Sequence, residues 1–235
     1  MLVLIVLSLL AGVITTVAGM GGGLVLLLGL SFFLDPLVAL MTTGPALLLG
    51  NLHRIALYRD HVQRPLALRL MLGAAPGALI GGLVAVAVPE VVLRAAMVTL
   101  ASLAAAKVLL GWRFTPPANA LVPGGAAIGF VTATSGGGGL ISGPLLLASG
   151  LSGRPYVATG AVAAATVHVF RLAGYGAGGN LGGRVLLMGL VGALCITAGN
   201  LLGERLRRHL PDAAIPRLEV GVVVTCLALA LAGLG

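Results

Sequence analysis

Eight long apolar stretches make up most of this chain of 235 residues, and only short connections separate them. The stretches fall at about 2–34, 37–52, 66–88, 91–112, 121–150, 156–173, 185–203 and 213–234. Because a membrane-spanning helix needs about 20 apolar residues, this pattern predicts an all-α integral membrane protein. Only 9% of the residues are charged and the mean hydropathy is +1.13, so little chain is left for a domain outside the membrane.

Runs of glycine interrupt the first and the fifth of these stretches. One run is Gly19-Met20-Gly21-Gly22-Gly23, and the other is Gly136-Gly137-Gly138-Gly139. Consecutive glycines disfavour a continuous helix and leave backbone N–H groups that hydrocarbon cannot satisfy, so such a break has to face protein or a wet cavity. Paired breaks in two halves of a chain are typical of a transporter binding site, and the start of a helix after a break favours an anion.

The two halves of the chain align loosely at an offset of about 117 residues. This offset pairs Gly12 with Gly129, Gly19 with Gly136, Asn51 with His168, and Arg54 with Arg171. We therefore predict two membrane repeats of four apolar segments each, with the glycine-broken segment first in each repeat. The first repeat covers residues 1–112, a short linker covers 113–120, and the second repeat covers 121–235.

Charge in the connections predicts how the two repeats are oriented. Arginines concentrate at residues 53–69 and 204–217. Short cytoplasmic loops carry an excess of Lys and Arg, and both connections become cytoplasmic if each broken stretch makes no net crossing. The repeats are then inverted. The net charge of +8 fits basic loops beside anionic lipid, whereas its spread over the loops does not form a nucleic-acid surface.

Polar residues at matching ends of two stretches complete the predicted binding site. Charged residues at membrane depth are costly and are commonly functional, although both arginines are close enough to a segment end to reach the interface. A lone histidine also occurs as a hydrogen-bonded core residue. The predicted substrate-binding residues are Gly19, Gly21, Gly22, Gly23, Asn51, Arg54, Ser135, Gly136, Gly137, Gly138, Gly139, His168 and Arg171.

The other chemically active side chains limit the range of functions. All six acids lie near predicted segment ends, which leaves no buried carboxylate relay. A coupled proton would then have to use His168, His53 or the substrate itself. Cys195 and Cys226 stand alone in separate stretches without metal-ligand spacing, so we expect no metal site, no disulfide and no cofactor.

The sequence around both glycine runs resembles a known family. The signatures Ala18-Gly19-Met20-Gly21-Gly22-Gly23 and Ser135-Gly136-Gly137-Gly138-Gly139, the latter followed by Gly143-Pro144-Leu145-Leu146, are similar to those of the TauE/SafE sulfite exporter family of membrane permeases. The resemblance covers essentially the whole chain and implies movement of sulfur-containing anions, such as sulfite and sulfonates, across the bacterial inner membrane. It also implies that the two glycine turns face the substrate. Leu28 stands roughly where Pro144 stands in the second half, so we expect an asymmetric site.

We therefore expect a non-enzymatic secondary transporter or permease that binds a small anion between the two halves. Its surroundings are membrane lipid, and the sequence leaves a homo-oligomer open. A membrane hydrolase is an alternative, because Ser135 and His168 occupy different apolar segments and could pair as nucleophile and base. A scaffold or channel-like protein without saturable transport is another alternative, because four GxxxG pairs predict close helix packing. These pairs are Gly77/Gly81, Gly125/Gly129, Gly178/Gly182 and Gly199/Gly203.

Overall fold

The computed structural model describes residues 1–17, 21–111, 116–117, 120–179, 181–211 and 214–232. Over these residues the regular structure is helical throughout, with ten α-helices and a 3₁₀ turn at Arg59–His61. In chain order the helices are α1 Leu2–Val17, α2 Gly22–Leu30, α3 Pro36–Tyr58, α4 Arg64–Ala87, α5 Glu90–Leu109, α6 Leu121–Ser135, α7 Gly139–Ala148, α8 Gly153–Ala177, α9 Gly183–His209 and α10 Ile215–Ala232. The all-α fold class predicted from the apolar stretches is confirmed.

Four of the described helices, α4, α5, α8 and α9, are long and apolar enough to cross a membrane. The shorter apolar helices include α1, α6, α7 and the segment Val220–Ala232 of α10, each 10–17 residues long. The two stretches that contain glycine runs each hold two short helices, α1 with α2 and α6 with α7. Helix lengths and composition agree with a protein embedded in a bilayer.

Helices α4 and α6 pack with their backbones in contact, because glycines line both faces. A Cβ atom added at Gly77 would overlap the backbone of Ala126, and one added at Gly129 would overlap the carbonyl oxygen of Ala74. The same close approach recurs along this interface at Gly73, Gly81 and Gly125. Small residues of this kind allow helices to associate through van der Waals contact. In lipid the hydrophobic effect does not drive the association of helices, so this contact is needed.

Helices α1 and α9 form a second interface of the same kind. A Cβ atom at Gly12 would overlap the carbonyl oxygen of Ile196, and one at Gly199 would overlap the carbonyl oxygen of Leu9. Gly203 lies against the following turn of α1. Three of the four predicted GxxxG pairs therefore lie in helix interfaces. The fourth does not form such a face, because a Cβ atom at its second glycine, Gly182, would meet no atom within 4 Å.

Helices α3 and α8 contact each other and carry the polar residues of the site. Helix α3 also packs on α9, where Gly189 accommodates the ring of Pro45, and α8 packs on α4, where Gly82 meets Gly174. The short helix α2 is enclosed by protein, since Val25–Leu30 are all buried. Helix α2 is therefore shielded from lipid.

We expect Gly77→Ala to destabilise the protein, because the new methyl group would push α4 away from the backbone of α6. Overpacking of this kind costs about 1–3 kcal/mol. Gly221→Ala on α10 is the matched control, since its methyl group would meet nothing within 4 Å and alanine favours a helix. Thermal unfolding in detergent measures both variants, and equal stability of the two would contradict the packing described for α4 and α6.

Candidate functional site

A cavity of about 280 Å³ lies between the two halves of the chain and is bordered by α1, α2, α3 and α5–α10. We call it the glycine cavity, because Gly21, Gly23 and Gly136–Gly139 form part of its wall. Its polar side chains are Thr15, Thr43, Asn51, Arg54, Thr132, Ser142, Tyr156, His168 and Arg171. Most of the sequence-predicted site residues are thus brought together at this cavity.

The first glycine run meets the cavity where α2 begins. Gly21 precedes α2 and has φ of 89°, a left-handed conformation that glycine adopts without strain. Gly21 and Gly23 line the cavity, whereas Gly22 packs against α1, where an added Cβ atom would overlap the carbonyl oxygen of Ala11 and the hydroxyl of Thr15. Gly19 lies outside the described residues.

The second glycine run joins α6 to α7, and all four of its glycines line the cavity. Gly136 has φ of 76°, so the chain leaves α6 in a left-handed turn before α7 begins at Gly139. Gly138 lies against α6, where an added Cβ atom would overlap the hydroxyl of Thr132. Gly22 and Gly138 therefore serve the same purpose, which is to let the second short helix start directly against the first.

The threonine beside each of these glycines bonds to its own helix. Thr15 donates its hydroxyl proton to the Ala11 carbonyl at 2.7 Å, and Thr132 donates to the Ile128 carbonyl at 2.6 Å. These bonds orient the hydroxyl oxygens but use their protons. The two threonines can therefore shape the cavity, whereas hydrogen-bond donors to a ligand must come from other groups.

Backbone N–H groups at the starts of α2 and α7 are such donors. Between described residues, no backbone hydrogen bond uses the N–H of Gly22, Gly23 or Gly137–Gly139. The first N–H groups of any helix lack a partner within that helix, and they carry the positive end of its dipole. Two helix starts that border one cavity create a region that favours negative charge.

Arg171 adds a full positive charge to this region. It lines the cavity, and only 1% of its surface is exposed. Its guanidinium donates to the Thr132 carbonyl at 3.5 Å and to the Thr43 hydroxyl oxygen at 3.4 Å, both long for hydrogen bonds. Its Nε has no partner among the described residues. The guanidinium therefore has unused donor capacity inside the protein.

The other predicted polar residues lie along the same wall. Arg54 on α3 lines the cavity and is half-buried, and His168 lies one turn before Arg171 on α8 and is 4% exposed. The Nδ1 atom of His168 has no partner among the described residues. Asn51 also lines the cavity, and one N–H of its side-chain amide donates to the Leu47 carbonyl at 2.8 Å, which leaves the second N–H and the amide oxygen.

No described acid lines the cavity. The carboxylates whose side chains the structure describes belong to Asp35, Asp60, Glu90 and Glu204, and none of them borders it. Nor does the described part of the chain bring three His, Cys, Asp or Glu side chains close enough to hold a metal ion. The cavity therefore presents cationic groups without a protein counter-charge in the part of the chain that the structure describes.

Ser135, like Gly22, is a predicted site residue that does not line the cavity. It is buried at the end of α6, and its hydroxyl donates to the Val131 carbonyl at 2.8 Å. His168, in contrast, lines the cavity. This arrangement gives no nucleophile and base pair between Ser135 and His168, which was the basis of the hydrolase alternative.

Tyr175 helps to hold the helices of the site together, and the sequence did not lead us to predict this role. It is fully buried one turn after Arg171, and its hydroxyl donates to the Ala133 carbonyl of α6 at 2.6 Å. Together with the contact between Arg171 and Thr132, this bond ties α8 to the last turn of α6. The sequence feature that could have indicated this role is the spacing of four residues between Arg171 and Tyr175, which places both side chains on one face of the helix.

The comparison with protein families decides the kind of protein to which this site belongs. A family described as Sulfite exporter TauE/SafE matches residues 4–232, which is nearly the whole chain. The chain belongs to the TauE/SafE sulfite exporter family. Searches of curated proteins and of solved structures gave no match.

Membership of the TauE/SafE family agrees with the fold and with the cavity. It makes the chain a membrane transporter of the sulfite-exporter type, as the resemblance of its glycine signatures implied. The long apolar helices provide the membrane setting, and the cavity lies between the two halves of the chain.

The second glycine run offers a sharp test of this site in the TauE/SafE chain. Gly138→Ala places a methyl group on the Thr132 hydroxyl and the Ile128 carbonyl, which are already bonded to each other. We expect a loss of about 1–3 kcal/mol in stability from this overpacking. Gly139→Ala, the next residue along, meets nothing within 4 Å and should stay within about 0.5 kcal/mol of the parent protein. Thermal unfolding in detergent compares the two, and a Gly139→Ala variant that is as unstable as Gly138→Ala would contradict the geometry.

Proposed function

We propose that this protein is a bacterial inner-membrane secondary transporter for small sulfur-containing oxyanions, such as sulfite or a sulfonate, and that the glycine cavity binds the anion. The family description supports the class of transporter. The cavity supports the sign of the substrate's charge, since its wall carries Arg54, Arg171 and two helix starts but no described acid. Its volume of about 280 Å³ is ample for an ion of this size.

The observation that carries the proposal is the environment of Arg171. A buried charge is strongly unfavourable unless it is paired and hydrogen-bonded. Arg171 is 1% exposed, and its described partners are all neutral: the Thr132 carbonyl and Thr43 hydroxyl oxygens, at 3.5 and 3.4 Å, and the Tyr175 hydroxyl. An oxyanion in the cavity supplies what the guanidinium lacks, because a planar guanidinium and an oxyanion form two parallel charge-assisted hydrogen bonds.

The glycine runs add a second set of donors for the same ion. Sulfite and sulfonates present several oxygens in different directions, so they can bind Arg171 and backbone N–H groups at the same time. The N–H groups of Gly23 and Gly137–Gly139 belong to cavity-lining residues and have no described backbone acceptor. In this binding mode the breaks are the substrate-facing elements, with helices α2 and α7 directing their positive ends at the anion.

We also propose that the two halves are inverted repeats, now with five helices each, α1–α5 and α6–α10. The contacts between the halves are reciprocal: Gly12 of α1 meets Gly199 of α9, and the aligned Gly129 of α6 meets Gly77 of α4. Helix α3 contacts α9, and its counterpart α8 contacts α4. Such an exchange of matching contacts is expected of two halves related by a pseudo-twofold axis.

The helix directions support inversion. Successive contacts pair Pro45 with Gly189 and Gly50 with Ile196, so α3 runs parallel to α9. In the other half Gly82 meets Arg171 and Val86 meets Gly178, so α4 runs parallel to α8. Because the short connection at 178–182 joins α8 to α9, the two pairs cross a membrane in opposite directions. Matching helices of the two halves then run antiparallel, as inverted repeats require, and we propose that the site lies at the repeat interface.

The test is uptake of ³⁵S-sulfite into liposomes that contain the purified protein. We expect saturable uptake, and we expect Arg171→Gln to lower the apparent affinity or the rate by on the order of tenfold to a hundredfold, since a hydrogen bond to a charged group contributes about 1.5–3 kcal/mol. Arg154→Gln is the matched control, because Arg154 lies on the same helix but is exposed and does not line the cavity.

Three outcomes separate the competing functions. Saturable uptake that only Arg171→Gln lowers supports the anion site. Uptake that rises linearly with sulfite concentration would instead indicate a channel-like protein. The proposed binding mode would be overturned if Arg171→Gln and Arg154→Gln lost the same amount of sulfite uptake while thermal unfolding showed that both variants are folded. Arg171 would then have no special role.

A further inference from the structure

We infer that His168 takes up one proton when an anion binds in the glycine cavity and releases that proton together with the anion, so that anion transport is coupled to proton transport. This inference rests on the proposed function, because it assumes that an anion occupies the cavity. It adds a coupling ion, which neither the family description nor the anion site defines. It also gives a role to a buried titratable group that anion binding alone does not use.

The position of His168 is suited to this role. The side chain lines the cavity yet is 4% exposed, and its Nδ1 has no described partner. A histidine that only stabilised the core would be expected to satisfy its buried ring nitrogens with hydrogen bonds. Its spacing of three residues from Arg171 places both side chains on one face of α8. A proton on the His168 imidazole would therefore lie close to an anion bound at Arg171.

The charges around His168 make proton uptake depend on the anion. Among described residues that line the cavity, the titratable or charged groups are Arg54 on α3, Tyr156, His168 and Arg171 on α8, and Cys226 on α10. The described lining residues from α1, α2, α5, α6, α7 and α9 carry none. In the empty cavity, two guanidinium groups oppose a further positive charge on the imidazole.

A bound anion shifts this balance. Its negative charge offsets part of the charge of the two guanidinium groups and attracts a proton to the neighbouring imidazole. Linkage is reciprocal, so an anion that favours protonation of His168 is itself bound more tightly when His168 is protonated. In the pH range where His168 is neutral without the anion and protonated with it, apparent anion affinity falls by about tenfold for each pH unit. Histidine is the side chain whose ordinary titration falls in the physiological range.

The alignment of the two halves limits this chemistry to one residue. The residue that matches His168 in the first half is Asn51, whose side chain cannot take up a proton and donates to the Leu47 carbonyl. No described acid lines the cavity. The asymmetry between the halves therefore leaves a single imidazole, and the expected coupling is one proton for each anion.

The proton balance of the cycle is simple. On the entry side, the imidazole of His168 accepts a proton from water as the anion binds, and the side chain becomes an imidazolium. On the exit side, the imidazolium returns the proton to water as the anion leaves, and the neutral side chain resets. For an anion with one negative charge, the complete step moves no net charge across the membrane.

The experiment uses methanesulfonate, which stays fully ionised near neutral pH and cannot carry a proton itself. Liposomes that contain the full-length protein and a trapped pH-sensitive dye report ¹⁴C-methanesulfonate uptake and internal acidification in parallel. For the parent protein we expect one proton per anion, uptake that an inward pH gradient accelerates, and no response to a potassium-valinomycin potential. For His168→Gln we expect continued uptake without acidification, driven by the potential and not by the pH gradient.

His53→Gln is the matched control, since His53 lies on α3 and does not line the cavity. It should behave as the parent protein does. If His168→Gln does not fold, calorimetry of methanesulfonate binding to the parent protein in buffers of different ionisation enthalpy still counts the protons taken up per anion. Uptake by the parent protein without acidification would overturn the coupling and leave the anion site intact. If the protein neither binds nor takes up methanesulfonate or sulfite, the proposed function itself is overturned.

Discussion

The buried positive charge of Arg171 is the constraint around which the site is built. The side chain is 1% exposed, and the described oxygens that it contacts, from Thr43, Thr132 and Tyr175, are all neutral. A guanidinium cannot lose its proton to escape this cost, so the charge has to be offset by something outside the described protein groups. The nearby helix starts add positive potential instead of reducing it. The anionic substrate that we propose would offset the charge of the arginine and accept hydrogen bonds from the N–H groups at the starts of α2 and α7.

The glycine-rich interfaces explain how a small membrane protein can hold such a site. Backbone contact between α4 and α6, and between α1 and α9, links each half to the other through rigid pairs of helices. Tyr175 adds a 2.6 Å hydrogen bond from α8 to the end of α6, beside the second glycine run. The short helices α2 and α7 start beside these interfaces, at the glycine runs that form part of the cavity wall.

The sequence predicted the helices well because apolar length and glycine runs act locally. The apolar stretches led to an all-α protein, and the glycine signatures led to the family. Positions that depend on tertiary contact were harder to predict. Gly22 and Ser135 belong to the predicted motifs, yet the first packs against α1 and the second bonds to the Val131 carbonyl. Which side of a short helix faces a cavity depends on how the helix is tilted and rotated, and the sequence has no periodicity long enough to define that. Tyr175 was missed for the same reason, because its partner is a backbone carbonyl 42 residues away.

The most direct test of the anion site is a crystal structure of the protein with selenite, whose selenium can be located by anomalous scattering. We expect one selenium peak in the glycine cavity, with a selenite oxygen within about 2.7–2.9 Å of the Arg171 guanidinium. Further oxygens should lie within hydrogen-bond distance of the N–H groups at the start of α2 or α7. Two results would contradict the proposed site. One is a cavity without selenium at a selenite concentration equal to the sulfite concentration that saturates transport, and the other is a selenium peak only at surface arginines.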